Sequence, residues 1–74
     1  MNLNNAVINK KLKVIEIDLN EKVKTRLNQL GVNVGEVISI KRKGLFQSPL
    51  MLEIKGYSLA IRKNLAQNIM VKYE

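Results

Sequence analysis

Arg26-Leu27-Asn28-Gln29-Leu30-Gly31-Val32-Asn33-Val34-Gly35 is the stretch that decides how this chain folds. Val23, Leu27 and Leu30 recur at i, i+4 and i+7, which lays one apolar stripe along a short helix. Lys22, Lys24 and Arg26 fall largely off that stripe. Gly31 follows the last stripe residue directly, at the left-handed position where helices commonly end and where a missing Cβ removes the steric penalty. Gly35 turns the chain again. From there apolar residues alternate with period 2, the signature of strands with one face buried. The stretch therefore ends a helix over Glu21–Leu30 and launches a β-meander.

Upstream, Asn20 is a suitable N-cap, because its side chain can accept a hydrogen bond from an unpaired helix N–H. Glu21 puts a negative charge in the first turn, where the helix dipole favours it. Before the cap, Lys11–Ile17 (KLKVIEI) reads as a strand. Its phase is open: Leu12 and Val14 share one face, Ile15 and Ile17 the other, and a bend or bulge would reconcile them. Met1–Asn9 reads as a weakly structured lead. Leu3, Ala6 and Ile8 could tuck against the domain, and Asn9 suits a turn at positive φ.

Downstream, Ile38 and Ile40 point inward while Ser39 and Lys41 point out. Lys41-Arg42-Lys43-Gly44-Leu45-Phe46-Gln47-Ser48-Pro49 reads as a basic cluster followed by a loop, with Pro49 opening the next strand, where its missing N–H is tolerated. Leu50, Leu52 and Ile54 alternate with outward Met51, Glu53 and Lys55. Gly56-Tyr57 reads as a tight turn. Leu59 and Ile61 point in, and Ser58, Ala60 and Arg62 point out. Asn64-Leu65-Ala66 reads as a helical or 3₁₀ turn capped by Asn64. Ile69, Val71 and Tyr73 supply a last inward row, and Met70 faces out. Five short strands with one helix after the first predict a mainly β fold, a small barrel closed on itself. There is no internal repeat and no linker, so residues 1–74 are expected to form one domain.

Composition restricts the chemistry. The chain has no cysteine and no histidine, so disulfides, thiolate metal sites and imidazole bases are excluded. Thr25, Ser39, Ser48 and Ser58 lack an adjacent base and read as ordinary turn and surface hydroxyls. Glu16, Asp18, Glu21, Glu36, Glu53 and Glu74 are the carboxylates. Glu16 and Asp18 could share a strand face, but a dedicated hard-cation site needs more oxygens than two. Gly31-x-x-x-Gly35 lacks the Lys-Ser/Thr of a phosphate loop and precedes a strand. No catalytic set, metal site or cofactor site is expected. No apolar run reaches the roughly 20 residues of a membrane span, and the first eleven residues lack a signal-peptide core. The expectation is a cytoplasmic protein without membrane insertion.

Thirteen Lys and Arg against six Asp and Glu give a net charge of +7. That excess attracts nucleic acid, an anionic membrane surface or an acidic protein face; it also keeps a small domain soluble. Lys41, Arg42, Lys43, Arg62 and Lys63 form the candidate polyanion-binding set. Phe46 stands near it, where a base could stack, although no aromatic platform accompanies it. Alternatively Phe46 caps the open end of the barrel or meets a protein partner.

The ordered set Arg26-Leu27-x-x-Leu30-Gly31-Val32-x-x-Gly35, Val37-Ile38-x-Ile40, a loop ending in Pro49, Leu52-x-Ile54-x-Gly56-Tyr57-x-Leu59-Ala60-Ile61-Arg62, Ala66 and Ile69-x-Val71 resembles the FeoA family. The resemblance runs from Leu3 to Val71 without a gap. It departs from the family where Gln47-Ser48-Pro49 stands for Gly-Asp-Pro, Val34 for proline, Ile8-Asn9 for Pro-Gly, and Lys41 for an apolar residue. The resemblance implies an SH3-like barrel of bacterial ferrous iron transport that works by binding. The implied partner is FeoB, a membrane transporter with a cytoplasmic GTP-binding domain, and the basic face would also suit the anionic inner leaflet beside it. The contact residues expected on that reading are Arg26, Leu45, Phe46, Gln47 and Pro49. An open barrel edge would allow self-association. A small nucleic-acid-binding domain is the alternative.

Overall fold

The computed structural model describes all 74 residues. Five strands form one antiparallel sheet: β1 (Leu12–Ile17), β2 (Val37–Lys43), β3 (Leu50–Ile54), β4 (Tyr57–Ile61) and β5 (Ile69–Tyr73). Their order is β4-β3-β2-β1-β5. Helix α1 (Glu21–Gln29) links β1 to β2, and the single turn α2 (Lys63–Ala66) links β4 to β5. The sheet rolls into a small SH3-like barrel. Its ladder does not close, because β4 and β5 are not hydrogen-bonded to each other. The outer edge of β5 is covered by the lead: the Met1 ammonium donates to the Val71 carbonyl at 3.1 Å, and Val71 N donates to the Met1 carbonyl at 2.8 Å. The outer edge of β4 has no such cover.

All sixteen buried residues are apolar, and they form one cluster. The alternating rows supply Ile38 and Ile40 from β2, Leu50, Leu52 and Ile54 from β3, and Ile69 and Val71 from β5. Strand β1 resolves its phase by a register shift between Val14 and Glu16. The extra residue lets Leu12, Val14 and Ile17 all point inward and leaves Ile15 44% exposed. α1 adds Leu27, with Val23 packed against the cluster.

Asn20 caps α1 as expected, its Oδ1 accepting from Val23 N at 3.0 Å. The helix stops at Gln29, with Leu30 as its C-cap. Gly31 follows at φ +100°. A Cβ there would collide with the Tyr57 hydroxyl, which donates to the Leu30 carbonyl. Gly31 thus both ends the helix and makes room for the side chain that ties the helix end to β4.

The fold departs from the sequence pattern in several places. The lead is ordered: Asn2 caps a 3₁₀ turn over Leu3–Asn5, and Leu3 and Ala6 are buried while Ile8 is 42% exposed. Asn9 does take positive φ, 62°, which frees its N–H to reach the Ile40 carbonyl at 2.8 Å. β2 starts at Val37 rather than Gly35 and runs through Lys43, so the basic triplet lies on a strand, with a register shift between Ile40 and Arg42. The β3–β4 turn is Lys55-Gly56, both at positive φ, and Tyr57 is the first residue of β4. A two-residue hairpin of that kind matches the sheet twist. α2 is preceded by Arg62, not Asn64, and has no side-chain cap of its own; instead Lys63 N donates to Ser48 Oγ at 3.2 Å. Tyr73 is 47% exposed. Its hydroxyl accepts from Val7 N at 3.1 Å, so it holds the lead at the barrel rim rather than filling the core.

Candidate docking surfaces

No chemically reactive constellation assembles. Of the four hydroxyl residues, Ser48 accepts the bond just described, and Ser39 and Ser58 lie opposite Glu53 across the sheet. Glu53 pairs with Lys41 at 3.3 Å, and Glu36 with Lys55 at 3.1 Å. Asp18 lies past the end of β1, and no three acidic side chains come together.

The loop between β2 and β3 is built as a projecting tip. Gly44 N donates to the Pro49 carbonyl at 2.8 Å, and Gln47 N to the Gly44 carbonyl at 2.9 Å, which closes the loop at its base. A Cβ on Gly44 would stand 2.5 Å from the Ser48 carbonyl oxygen, so the two arms of the loop approach as only glycine permits. Phe46 and Gln47 take φ of 58° and 66°. For a bulky side chain this left-handed conformation is unfavourable, and here it aims the tip outward. Leu45 is 80% and Phe46 83% exposed, the two most exposed large apolar side chains of the chain. Phe46 therefore does not cap the barrel.

The lead and α2 brace this tip. Lys43 Nζ donates to the Asn4 carbonyl at 3.0 Å, and Asn4 Nδ2 donates to the Lys63 carbonyl at 3.1 Å. With the Lys63–Ser48 bond, these contacts gather loop, lead and α2 at one pole. A shallow depression of about 440 Å³ there is lined by Ser48, Arg62, Lys63, Asn64 and Gln67. The expected five-cation set is divided. Arg62 and Lys63 present free cations at this pole, and Arg42 lies opposite Met51 on the barrel's outer face. Lys41 is paired at the surface with Glu53, and Lys43 with the Asn4 carbonyl. Asn4 escaped the sequence reading altogether, because nothing in an Asn-rich lead marks one asparagine as a brace.

Arg26 lies elsewhere. It lines a second shallow depression, about 400 Å³, with Lys22, Val23, Thr25 and Gln29 on the outer face of α1. The end of α1 meets the β3–β4 turn through Leu30 and Tyr57. The tip lies at the other end of β3, where Leu50 pairs with Lys43. A five-residue strand separates the two by roughly 13–17 Å. The five expected contact residues are thus two groups, Arg26 on one side and Leu45, Phe46, Gln47 and Pro49 on the other.

A rolled five-stranded sheet around a wholly apolar core, with only shallow depressions at its surface, defines a small SH3-like barrel. The FeoA domain family model matches residues 1–73. A FeoA-like protein from Clostridium acetobutylicum is 36% identical over 99% of this chain and 85% of that one, with a TM-score of 0.85. The chain belongs to the FeoA family, whose role is in ferrous iron transport. The iron(II) transport protein A from Clostridium thermocellum superposes with a TM-score of 0.91 at 22% identity, over 99% of this chain but 45% of that one, so this chain spans less than half of its length. The manganese regulator SloR carries the same fold, with a TM-score of 0.85 at 14% identity, over 99% of this chain and 34% of that one. No curated protein matches the chain. No helix of the chain is long and apolar enough to cross a membrane.

Proposed function

We propose that this chain is a non-catalytic accessory module of ferrous iron uptake, acting in the cytoplasm. It docks on the cytoplasmic part of a FeoB-type membrane transporter and modulates GTP hydrolysis or transport there. The observation that carries this reading is the family match over residues 1–73. Docking is assigned to the α1 face around Arg26, whose guanidinium suits planar contact with partner carboxylates.

The test uses the transporter's isolated cytoplasmic domain, immobilised, with no lipid present. The wild-type chain is retained, and Arg26→Glu weakens retention at least about fivefold, the loss of one charge-assisted contact, while thermal unfolding is unchanged. Retention no greater than that of a charge-matched control protein overturns the proposal. Polyanion binding through the five cations finds less support, because Lys41 is paired at the surface with Glu53 and Lys43 with the Asn4 carbonyl.

A further inference from the structure

The Leu45–Phe46 tip is left without a task by the α1 face, and its surroundings specify what it would meet. Residues 44–52 contain no charge, so the tip and both its arms are uncharged. Cations stand behind them: Arg42 on β2, and Arg62 and Lys63 at α2, all exposed. Glu53, the nearest carboxylate along the sequence, is paired with Lys41. Two adjacent apolar side chains more than four-fifths exposed are carried on a loop whose backbone is held in left-handed conformation. Unfavourable backbone geometry of this kind persists where the surrounding structure imposes it, and it clusters at binding sites.

We propose that this tip is a membrane-surface anchor. Leu45 and Phe46 enter the headgroup region of an anionic bilayer, and Arg42, Arg62 and Lys63 lie over the lipid phosphates. The shape selects this occupant. A stable protein interface needs a broad patch of roughly 800 Å² on each partner, whereas the tip is narrow and convex. A nucleic-acid strand would use stacked aromatics, and Phe46 stands alone, with Leu45 beside it as apolar area that stacking does not need. Apolar insertion and basic residues supplement each other at an anionic leaflet, neither being sufficient alone for firm anchoring. Each cation near such a surface contributes roughly fivefold to partitioning. The anchor does not depend on the docking proposal above, and the two are compatible: with the tip in the headgroups, the α1 face at the other end of β3 stays available.

The chain contains no tryptophan, so Phe46→Trp makes a unique fluorescent reporter at the tip, and Val34→Trp one on an exposed loop away from it. Both are titrated with phosphatidylcholine vesicles containing about 30% phosphatidylglycerol, and with phosphatidylcholine alone. The anchor predicts that the Phe46→Trp indole shifts to the blue and is quenched by lipids brominated near the headgroup, on anionic vesicles only. The Val34→Trp indole does neither. In co-sedimentation, Leu45→Ser with Phe46→Ser, which leaves the net charge unchanged, lowers partitioning at least about tenfold, and Arg62→Glu with Lys63→Glu does the same. Circular dichroism melts confirm that each variant folds. Equal sedimentation of the doubly substituted Leu45/Phe46 variant and the wild type would show adsorption by net charge alone and overturn the proposal. So would equal quenching at positions 34 and 46, or tighter binding to a single-stranded oligonucleotide than to the anionic vesicles.

Discussion

Replacing Gly31 with alanine tests the account of the stretch that organises the fold. Two separate costs are legible. First, φ of +100° is outside the regions an alanine occupies comfortably, which costs about 1–2 kcal/mol. Second, the new Cβ collides with the Tyr57 hydroxyl and would stand 3.2 Å from Cζ and 3.5 Å from Ile54 Cγ2. The hydroxyl is at the free end of its side chain, so the ring swings away rather than the backbone moving. That displacement loses the hydrogen bond to the Leu30 carbonyl, about 1 kcal/mol. The sum is about 2–3 kcal/mol. Domains of this size hold roughly 4–11 kcal/mol in all. With a urea slope near 1 kcal/mol/M for a small domain, the midpoint falls by roughly 2 M or more. The decisive measurement is a double-mutant cycle with Tyr57→Phe, followed by circular dichroism in urea. Removing the hydroxyl abolishes both the bond and the worst of the collision, so Gly31→Ala costs about 1 kcal/mol less in that background. If the two changes add fully, or if Gly31→Ala alone costs under about 0.5 kcal/mol, the linkage of Gly31 to Tyr57 is wrong.

Three further outcomes are expected. Leu52→Ala removes a fully buried side chain at the centre of β3 and costs about 2–5 kcal/mol, so amide dispersion in the proton NMR spectrum collapses or the urea midpoint falls by more than with any surface change. Asn20→Ala deletes the acceptor for Val23 N and costs about 1 kcal/mol; an altered urea slope, rather than a shifted midpoint, would contradict a pure capping effect. Lys55→Asn places the residue type best suited to φ of 49° ahead of Gly56 and stabilises the fold by several tenths of a kcal/mol, read as a raised urea midpoint. Its loss of the Glu36 pair is small, because Lys55 is two-thirds exposed.

The architecture was largely legible because its determinants are local. Val23, Leu27 and Leu30 fix a helical stripe, Asn20 and Gly31 bound it, and Leu50, Leu52 and Ile54 alternate without ambiguity. Where the sequence left the answer open, the deciding forces were long-range. Ile15 and Ile17 are equally apolar, so only pairing with β5 could show which one a bulge would expel. Tyr73 continues an inward rhythm, yet a hydroxyl partner on Val7, 66 residues away in the chain, draws it to the rim. The layout of the candidate surface was half legible. An apolar pair after three cations marked the tip, and its outward aim depends on φ values that neither Phe46 nor Gln47 announces. The separation of Arg26 from that tip was not legible, because sequence does not reveal which end of β3 each one meets.

The joint between β1 and β2 has a dynamic consequence. Within the strands Leu12–Ile38 and Lys13–Val37 pair across it, extended by two backbone bonds that join Val14 to Gly35 and Glu36, whereas β1–β5 and β3–β4 each run to five pairs. The sheet is therefore two ladders meeting along a narrow seam. The β2–β3–β4 ladder is assembled from neighbours in sequence, and β1–β5 joins residues more than 50 positions apart. Low sequence separation favours early formation, so the meander is the part expected to fold first and the β1–β5 clasp to close over it. In the native state the same division sets two cooperative opening units. Amide protons of β3 should exchange with solvent deuterium on one timescale, those of β1 and β5 together on a faster one, and the seam marks the boundary between them.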